Sequence, residues 1–145
     1  MMVFLAIWLV IMTALLVSGY LKGKKALKIF PPLSEVSILY QEKRASGYST
    51  KSRKSKIGGA QNSLEVIVTK NELWIRPRFI LFAFVANDLT HRFHWAQVKS
   101  ISLKNNKQVI VTYQDGNHTL VDIHLQLKNA HRFLEATEKS QKLAG

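Results

Sequence analysis

The chain opens on an unbroken apolar run. Between residues 3 and 21 only Thr13, Ser18 and Gly19 interrupt it. Nineteen positions at the helical rise cover about 28 Å, close to the ~30 Å hydrocarbon core of a bilayer, so the pattern predicts a transmembrane helix. Continuing through LKGKKALKIF, the helix is expected to place Ala26, Leu27, Ile29 and Phe30 on the membrane interface until Pro31-Pro32 ends it. Residues 34–56 then open with a strand-like alternation of Val36, Ile38 and Tyr40 and close in a basic, Ser-rich loop.

From Ile57 the period becomes that of short strands and turns. Leu64, Val66 and Val68 alternate, Lys70-Asn71 turns the chain, and Leu73-Trp74-Ile75 returns it. FILFAFVA (79–86) is continuous and apolar. At eight residues it is too short to span, and it reads as a buried strand or, alternatively, as an exposed apolar edge. Phe93 and Trp95 lead into an alternation of Ile101 and Leu103 with Ser100, Ser102 and Lys104, followed by a turn at Asn105-Asn106. Val109, Val111 and Tyr113 precede Asp115-Gly116, the signal for a two-residue type I′ hairpin, and Thr119, Val121, Ile123 and Leu125 share one face of the return strand. Six or seven strands result. After residue 126 the spacing lengthens to three and four through Leu127, Ala130, Leu134 and Thr137, with Phe133 alongside, which predicts one amphipathic helix over about 127–142. The fold class is therefore an N-terminal transmembrane α-helix followed by a mainly β domain. Segments 1–30 (span and juxtamembrane extension), 31–56 (connector, first strand and basic loop) and 57–145 (remaining strands and helix) divide it.

Charge gives this pattern an orientation. The 145 residues carry a net charge of +12, none of it in residues 1–21. Residues 22–56 hold ten basic and two acidic side chains, net +8, so the positive field sits beside the predicted span. Lys22, Lys24, Lys25 and Lys28 follow the apolar run and no Lys or Arg precedes it. The positive-inside rule then puts the N-terminus outside and the β domain in the cytoplasm, on a cell (inner) membrane. A cleaved signal would want a basic start and an apolar run of about 7–15 residues. The absence of Cys removes disulfides and thiolate metal sites.

The order of motifs carries a resemblance. A span ending in SGYLKGKKALKIF, then GGAQNSLEVIVTKNELWIRPRFILF, FHWAQVKSI and LQLKNAHRFLEATE resembles small bacterial membrane-anchored proteins with a pleckstrin-homology (PH)-like, GRAM-like cytosolic domain. The resemblance implies a bent antiparallel sheet or barrel capped by a C-terminal helix, and it implies no particular chemistry. In such a fold the connection between the first two strands commonly meets acidic head groups.

No signature of an enzyme is legible. Gly-rich phosphate loops, HExxH, GxSxG and carboxylate pairs at helical spacing are all missing, so the expectation is no catalytic residue, no metal and no cofactor. His91 and His94 would point to opposite faces of a strand, and His118 and His124 lie about 20 Å apart along theirs. Two surfaces remain as candidates. One is a lipid-facing basic cluster of Lys22, Lys24, Lys25 and Lys28 with Lys51, Arg53, Lys54 and Lys56, suited to anionic lipid whether as a diffuse patch or as a pocket. The other is a partner edge of Phe79, Phe82 and Phe84 guarded by Arg76 and Arg78. Nucleic acid ranks below both, because the cluster lacks interleaved aromatics and the span holds it at a membrane. The functional expectation is a non-enzymatic membrane-anchored binding or scaffold module that engages a protein partner or anionic head groups. The alternative is a small accessory subunit of a larger membrane complex.

Overall fold

The computed structural model describes the backbone of residues 1–145 and every side chain except those of Phe84 and Val85. Helix α1 (Met2–Leu27) is followed by strand β1 (Ile38–Ser49), helix α2 (Arg53–Gly58), β2 (Ala60–Thr69), β3 (Glu72–Pro77), helix α3 (Ile80–Val85), β4 (His91–His94), β5 (Val98–Asn105), β6 (Gln108–Gln114), β7 (Leu120–Gln126) and helix α4 (Ala130–Ala144). Single 3₁₀ turns lie at Leu33–Glu35, Asn87–Leu89 and Trp95–Gln97. As the apolar run predicts, α1 is long and apolar enough to cross a membrane.

The seven strands form one open antiparallel sheet in the order β4-β3-β2-β1-β7-β6-β5. Strand β1 holds the two halves together. It pairs with β2 from Ile38 opposite Thr69 to Gly47 opposite Ala60, and its last residues pair with β7, from Ser46 opposite Gln126 to Ser49 opposite Ile123. The register shifts along β1 are bulges that bend the strand. Gly47 sits at the changeover, where a Cβ would come within 2.6 Å of the His124 carbonyl oxygen, so a side chain there would push β1 off β7. The inward faces of both halves share one core that includes Leu64, Val66, Leu73, Ile75, Val111, Ile123 and Phe133.

Helix α4 closes one end. Phe133 is fully buried, with its ring edge-on to Tyr40 at 5.5 Å. The buried Ser140 hydroxyl accepts the Trp95 indole N–H at 2.6 Å and donates toward the Thr69 carbonyl at 2.7 Å, which ties the helix to the β2–β3 turn. The opposite end carries the β1–β2, β3–β4 and β6–β7 connections. We refer to it as the three-loop end.

Several expectations are corrected. Helix α1 stops at Leu27, and Phe30 does not lie on the membrane interface: it packs under the sheet's outer face with Ile67 and Trp74, and Leu27, Leu33 and Val36 surround them. Trp74 therefore belongs to this outer cluster and not to the interior of the sheet. The first strand runs on through residues expected to be loop, because its bulges let one long strand serve both halves of the sheet. The basic segment after it is helical, nucleated by Ser52, whose hydroxyl accepts the Ser55 amide as an N-cap. FILFAFVA is not a strand. Strand β3 ends at Pro77, which has no N–H to donate to a ladder, and the apolar residues beyond it coil into α3. The Asp115-Gly116 hairpin forms with a different turn. Asp115 accepts the His118 amide on its carbonyl and the Asn117 and Thr119 amides on its side chain, and His118 takes the left-handed conformation at φ 59° in place of a two-residue type I′ turn. Helix α4 begins at Ala130 and not at 127, since Leu127 is buried as the strand leaves the sheet and the Lys128 amide donates to the Glu42 carboxylate.

Candidate functional site

The site is built where α1 meets the three-loop end. Among the described residues of α1 only Gly19 and Gly23 are buried. Helix α3 packs against this stretch, and a Cβ at Gly23 would stand 1.9 Å from the Ile80 carbonyl oxygen and 2.8 Å from its carbon. Only glycine permits this approach. The pair is spaced Gly-x-x-x-Gly, the arrangement that lets two helices in an apolar environment come into close contact.

Past α1 the connector is strapped to the outer face of β2 and β3. The Phe30 and Trp74 rings lie 5.6 Å apart, and the Arg76 guanidinium covers the other side of Phe30 at 5.6 Å. Arg92 donates to the Ile29 carbonyl at 2.8 Å and grips Glu72 through two nitrogens at 2.8 and 3.0 Å. Glu72 also accepts the Trp74 indole N–H at 2.7 Å, and His94 Nδ1 lies 3.2 Å from its other oxygen. Burial alone would raise the Glu72 pKa, but the Arg92 and Trp74 hydrogen bonds outweigh it and hold the carboxyl below its ordinary value. Arg76 pairs with Glu65 at 2.7 Å, and Gln41 donates to the same carboxylate at 2.6 Å.

Helix α2 lies next to α3 at the same end. The Ser52 hydroxyl donates to Asp88 in the turn after α3, and a cavity of about 320 Å³ separates the two helices, lined by Ser55, Gly59, Phe82, Ala86 and Asp88 among others. Ser49 and Ser55 fix the entry to α2, with Ser55 Oγ accepting the Ser49 amide at 2.9 Å. The outer side of α2 faces a second groove of about 250 Å³, bordered by Lys56, Lys104 and Gly59, with Tyr48 and His124 stacked at 4.5 Å along it. Partial burial lowers the His124 pKa, and Lys104 and Lys56 lower it further against the opposing pull of Asp122.

Inside the three-loop end, His91 stacks on Phe93 at 4.8 Å and tilts against Tyr113 at 5.0 Å, and its Nε2 lies 2.8 Å from the Asp88 carbonyl. Burial depresses its pKa and favours the neutral ring. The Tyr113 hydroxyl is the one buried side-chain polar atom without a hydrogen-bond partner among the described residues. Burial, with Asp88 and Asp115 nearby, pushes its pKa up to about 12. No group of three metal-ligating side chains occurs among the described residues.

The predicted basic residues come together in two sets. Lys22, Lys24 and Lys25 lie exposed on the last turns of α1 with Lys28 exposed just after it, and Lys51, Arg53, Lys54 and Lys56 lie exposed on and before α2. The predicted partner edge comes apart. Arg76 is engaged by Glu65 and Phe30 and guards no edge, Phe82 is half-buried against the core, and the Phe84 side chain lies outside the described residues. Among its described residues Phe79 and Arg78 remain exposed, with the Arg78 guanidinium over the Phe79 ring at 5.4 Å. Sequence reasoning missed Gly23, although its spacing from Gly19 was the available signal. It also missed Phe30, Arg92 and Glu72, whose meeting depends on strand register and has no local signature.

No family model matches the chain, and no curated protein does. Among solved structures, it is similar to a chain of "The 8S snRNP Assembly Intermediate" at 15% identity and a TM-score of 0.46, over 79% of this chain and 86% of that one. It is also similar to the C-terminal domain of an unknown protein from Leishmania infantum at 10% identity and a TM-score of 0.47, over 81% of this chain and 94% of that one.

Proposed function

We propose that the protein is a non-enzymatic, membrane-anchored binding module. In this reading α1 crosses a cell membrane with its N-terminus outside, and the PH-like domain lies in the cytoplasm with its three-loop end toward the inner leaflet, where it engages anionic head groups or a protein partner. One observation carries the reading: α1 joins the domain at the same end on which α2 displays Lys51, Arg53, Lys54 and Lys56. An anchor and a cationic surface on one end are what docking on an anionic leaflet requires, and each basic residue near such a surface contributes about 1 kcal/mol. The alternative is an accessory subunit that packs its span against foreign helices; Gly19, a small residue that such packing would use, is already buried within the chain.

The test uses residues 28–145, which keep Phe30 on Trp74, with vesicles of defined anionic content. Binding should fall as salt rises to a few hundred millimolar, and replacing the four α2-region cations by Ser should abolish it. Strong preference for one head group with binding that survives high salt would locate a pocket, for which the Tyr48–His124 groove is the candidate. No binding to anionic vesicles at low salt would overturn the lipid reading and leave the protein partner.

A further inference from the structure

The composition of α3 is at odds with its position. Its six residues, ILFAFV, include no polar side chain; among the described ones Ala83 is buried and Ile80 and Phe82 are half-buried, yet Leu81 faces outward. The side of a helix that meets water is ordinarily polar, and the outward side of this one is not. Leu81 is 46% exposed and Phe79, just before the helix, is 59% exposed.

The contact with α1 sets the depth of α3. Ile80 touches Gly23, and Gly23 lies two residues beyond the apolar run that ends at Leu21, so the start of α3 stands about 3 Å below the end of the span. The buried Gly19 lies about 6 Å higher along α1, inside the run. A helix docked over this interval occupies the boundary between head groups and acyl chains, the depth at which amphipathic elements bury their apolar faces by about 5–10 Å. Around it lie Arg78, Lys51, Arg53, Lys54 and Lys56, exposed and placed for phosphates. The connector held by Phe30 and Arg92 keeps the domain from swinging away.

We infer that α3 is an interfacial membrane element: Phe79 and Leu81 insert into the leaflet that α1 leaves, so that span and domain ride in the bilayer as one body. The occupant of this apolar surface is lipid. The inference rests on the proposed reading of α1 as a span and adds a second point of membrane contact far from it in sequence.

The test uses the full chain in vesicles. With no native cysteine, single Cys substitutions at Leu9, Phe79, Leu81 and Asn106 can each carry one environment-sensitive fluorophore, read against lipids bearing a nitroxide at shallow or deep acyl positions and against aqueous iodide. Probes at 79 and 81 should be quenched by the shallow nitroxide and shielded from iodide at least several-fold relative to the probe at 106, while the probe at Leu9 responds to the deep nitroxide. If 79 and 81 match 106 in iodide quenching while Leu9 is quenched deep in the bilayer, the inference fails and the span stands. Shielding of 79 and 81 from iodide without nitroxide quenching would also overturn it, since a protein surface and not lipid would then cover them. A Leu9 probe untouched by the deep nitroxide would overturn both. Phe79→Glu with Leu81→Glu, at positions outside the core, should release a probe at Lys54 from shallow quenching, and unchanged quenching there would count against insertion.

Discussion

Phe30→Ala removes the ring that straps the connector to the sheet. Phe30 is 8% exposed, its ring lies 5.6 Å from Trp74, and the Arg76 guanidinium stands over it at 5.6 Å. Phe→Ala at a core position costs about 3–5 kcal/mol. The lower end applies here, because the site is on the outer face of the sheet where water fills the space left behind. About 3 kcal/mol includes the aromatic pair, roughly 0.5–1.5 kcal/mol, and the guanidinium stack, roughly 0.5–1 kcal/mol. The loss falls on the strap. The connector keeps the Arg92 bond to the Ile29 carbonyl and the half-buried Leu27, Leu33 and Val36. Three kcal/mol is about a hundredfold rise in the population of the detached connector. Hydrogen exchange reads this directly. The Glu35 and Val36 amides, bonded to the Pro32 and Leu33 carbonyls, should exchange about a hundredfold faster, while Val66 and Ile75 inside the β2–β3 ladder change far less. Equal acceleration in strap and ladder would mean that Phe30 supports the whole domain. No acceleration would mean that the connector is held by something other than this cluster.

Three other perturbations follow from the same packing. Phe133→Ala should destabilise residues 28–145 by about 3–5 kcal/mol in urea unfolding, a large part of a typical domain's total, and a near-neutral result would show that α4 is not a closing helix. Ser140→Ala leaves the Trp95 indole N–H without its acceptor and should cost about 1–3 kcal/mol in the same assay; an unchanged midpoint would refute the lock between α4 and the β2–β3 turn. His91 has a folded pKa below its ordinary 6.5, so its contribution is fully present above that value and is lost as pH falls toward the depressed pKa. Urea midpoints should drop between pH 7.5 and 5.5, His91→Gln should flatten most of that slope, and a slope unaltered by the substitution would assign it elsewhere, with His124 the other group of the same sign.

Much of the architecture was legible because it rests on local pattern. The period of two in Val109, Val111 and Tyr113 and the period of three to four after residue 127 each set an element, and both are found within three residues of where the pattern put them. FILFAFVA was misread because a short apolar run looks alike as a buried strand and as a helix packed on another helix. The deciding partner, Gly23, lies more than fifty residues earlier in the chain. Arg76 and Phe30 were misplaced for a related reason. An arginine beside an apolar run reads as a guard, and only the register that sets Glu65 opposite Arg76 turns it into half of a fixed ion pair. The basic residues proposed for lipid contact stand out by charge alone, since exposed lysines and arginines need no tertiary partner to be recognised. The glycine contact that orients them toward one end was hidden, because a glycine shows its purpose only through what approaches it.

The central claim is that the three-loop end faces the leaflet and the end closed by α4 faces away. Strand β3 runs from the β2–β3 turn, which Ser140 ties to α4, to α3 at the three-loop end, and its six residues span about 20 Å, so Asn71 in that turn and Gly116 in the β6–β7 connection serve as height markers. Both are exposed, and nothing lies within 4 Å of a Cβ built at Gly116. A donor fluorophore on Gly116→Cys or Asn71→Cys in the full-length protein, reconstituted in vesicles with acceptors in the outer head-group layer, measures each height by resonance energy transfer on the molecules whose domain is outside. The account predicts strong transfer from residue 116 and transfer from residue 71 that corresponds to a distance about 20 Å greater. Equal transfer from the two positions, or the stronger transfer from 71, would contradict it.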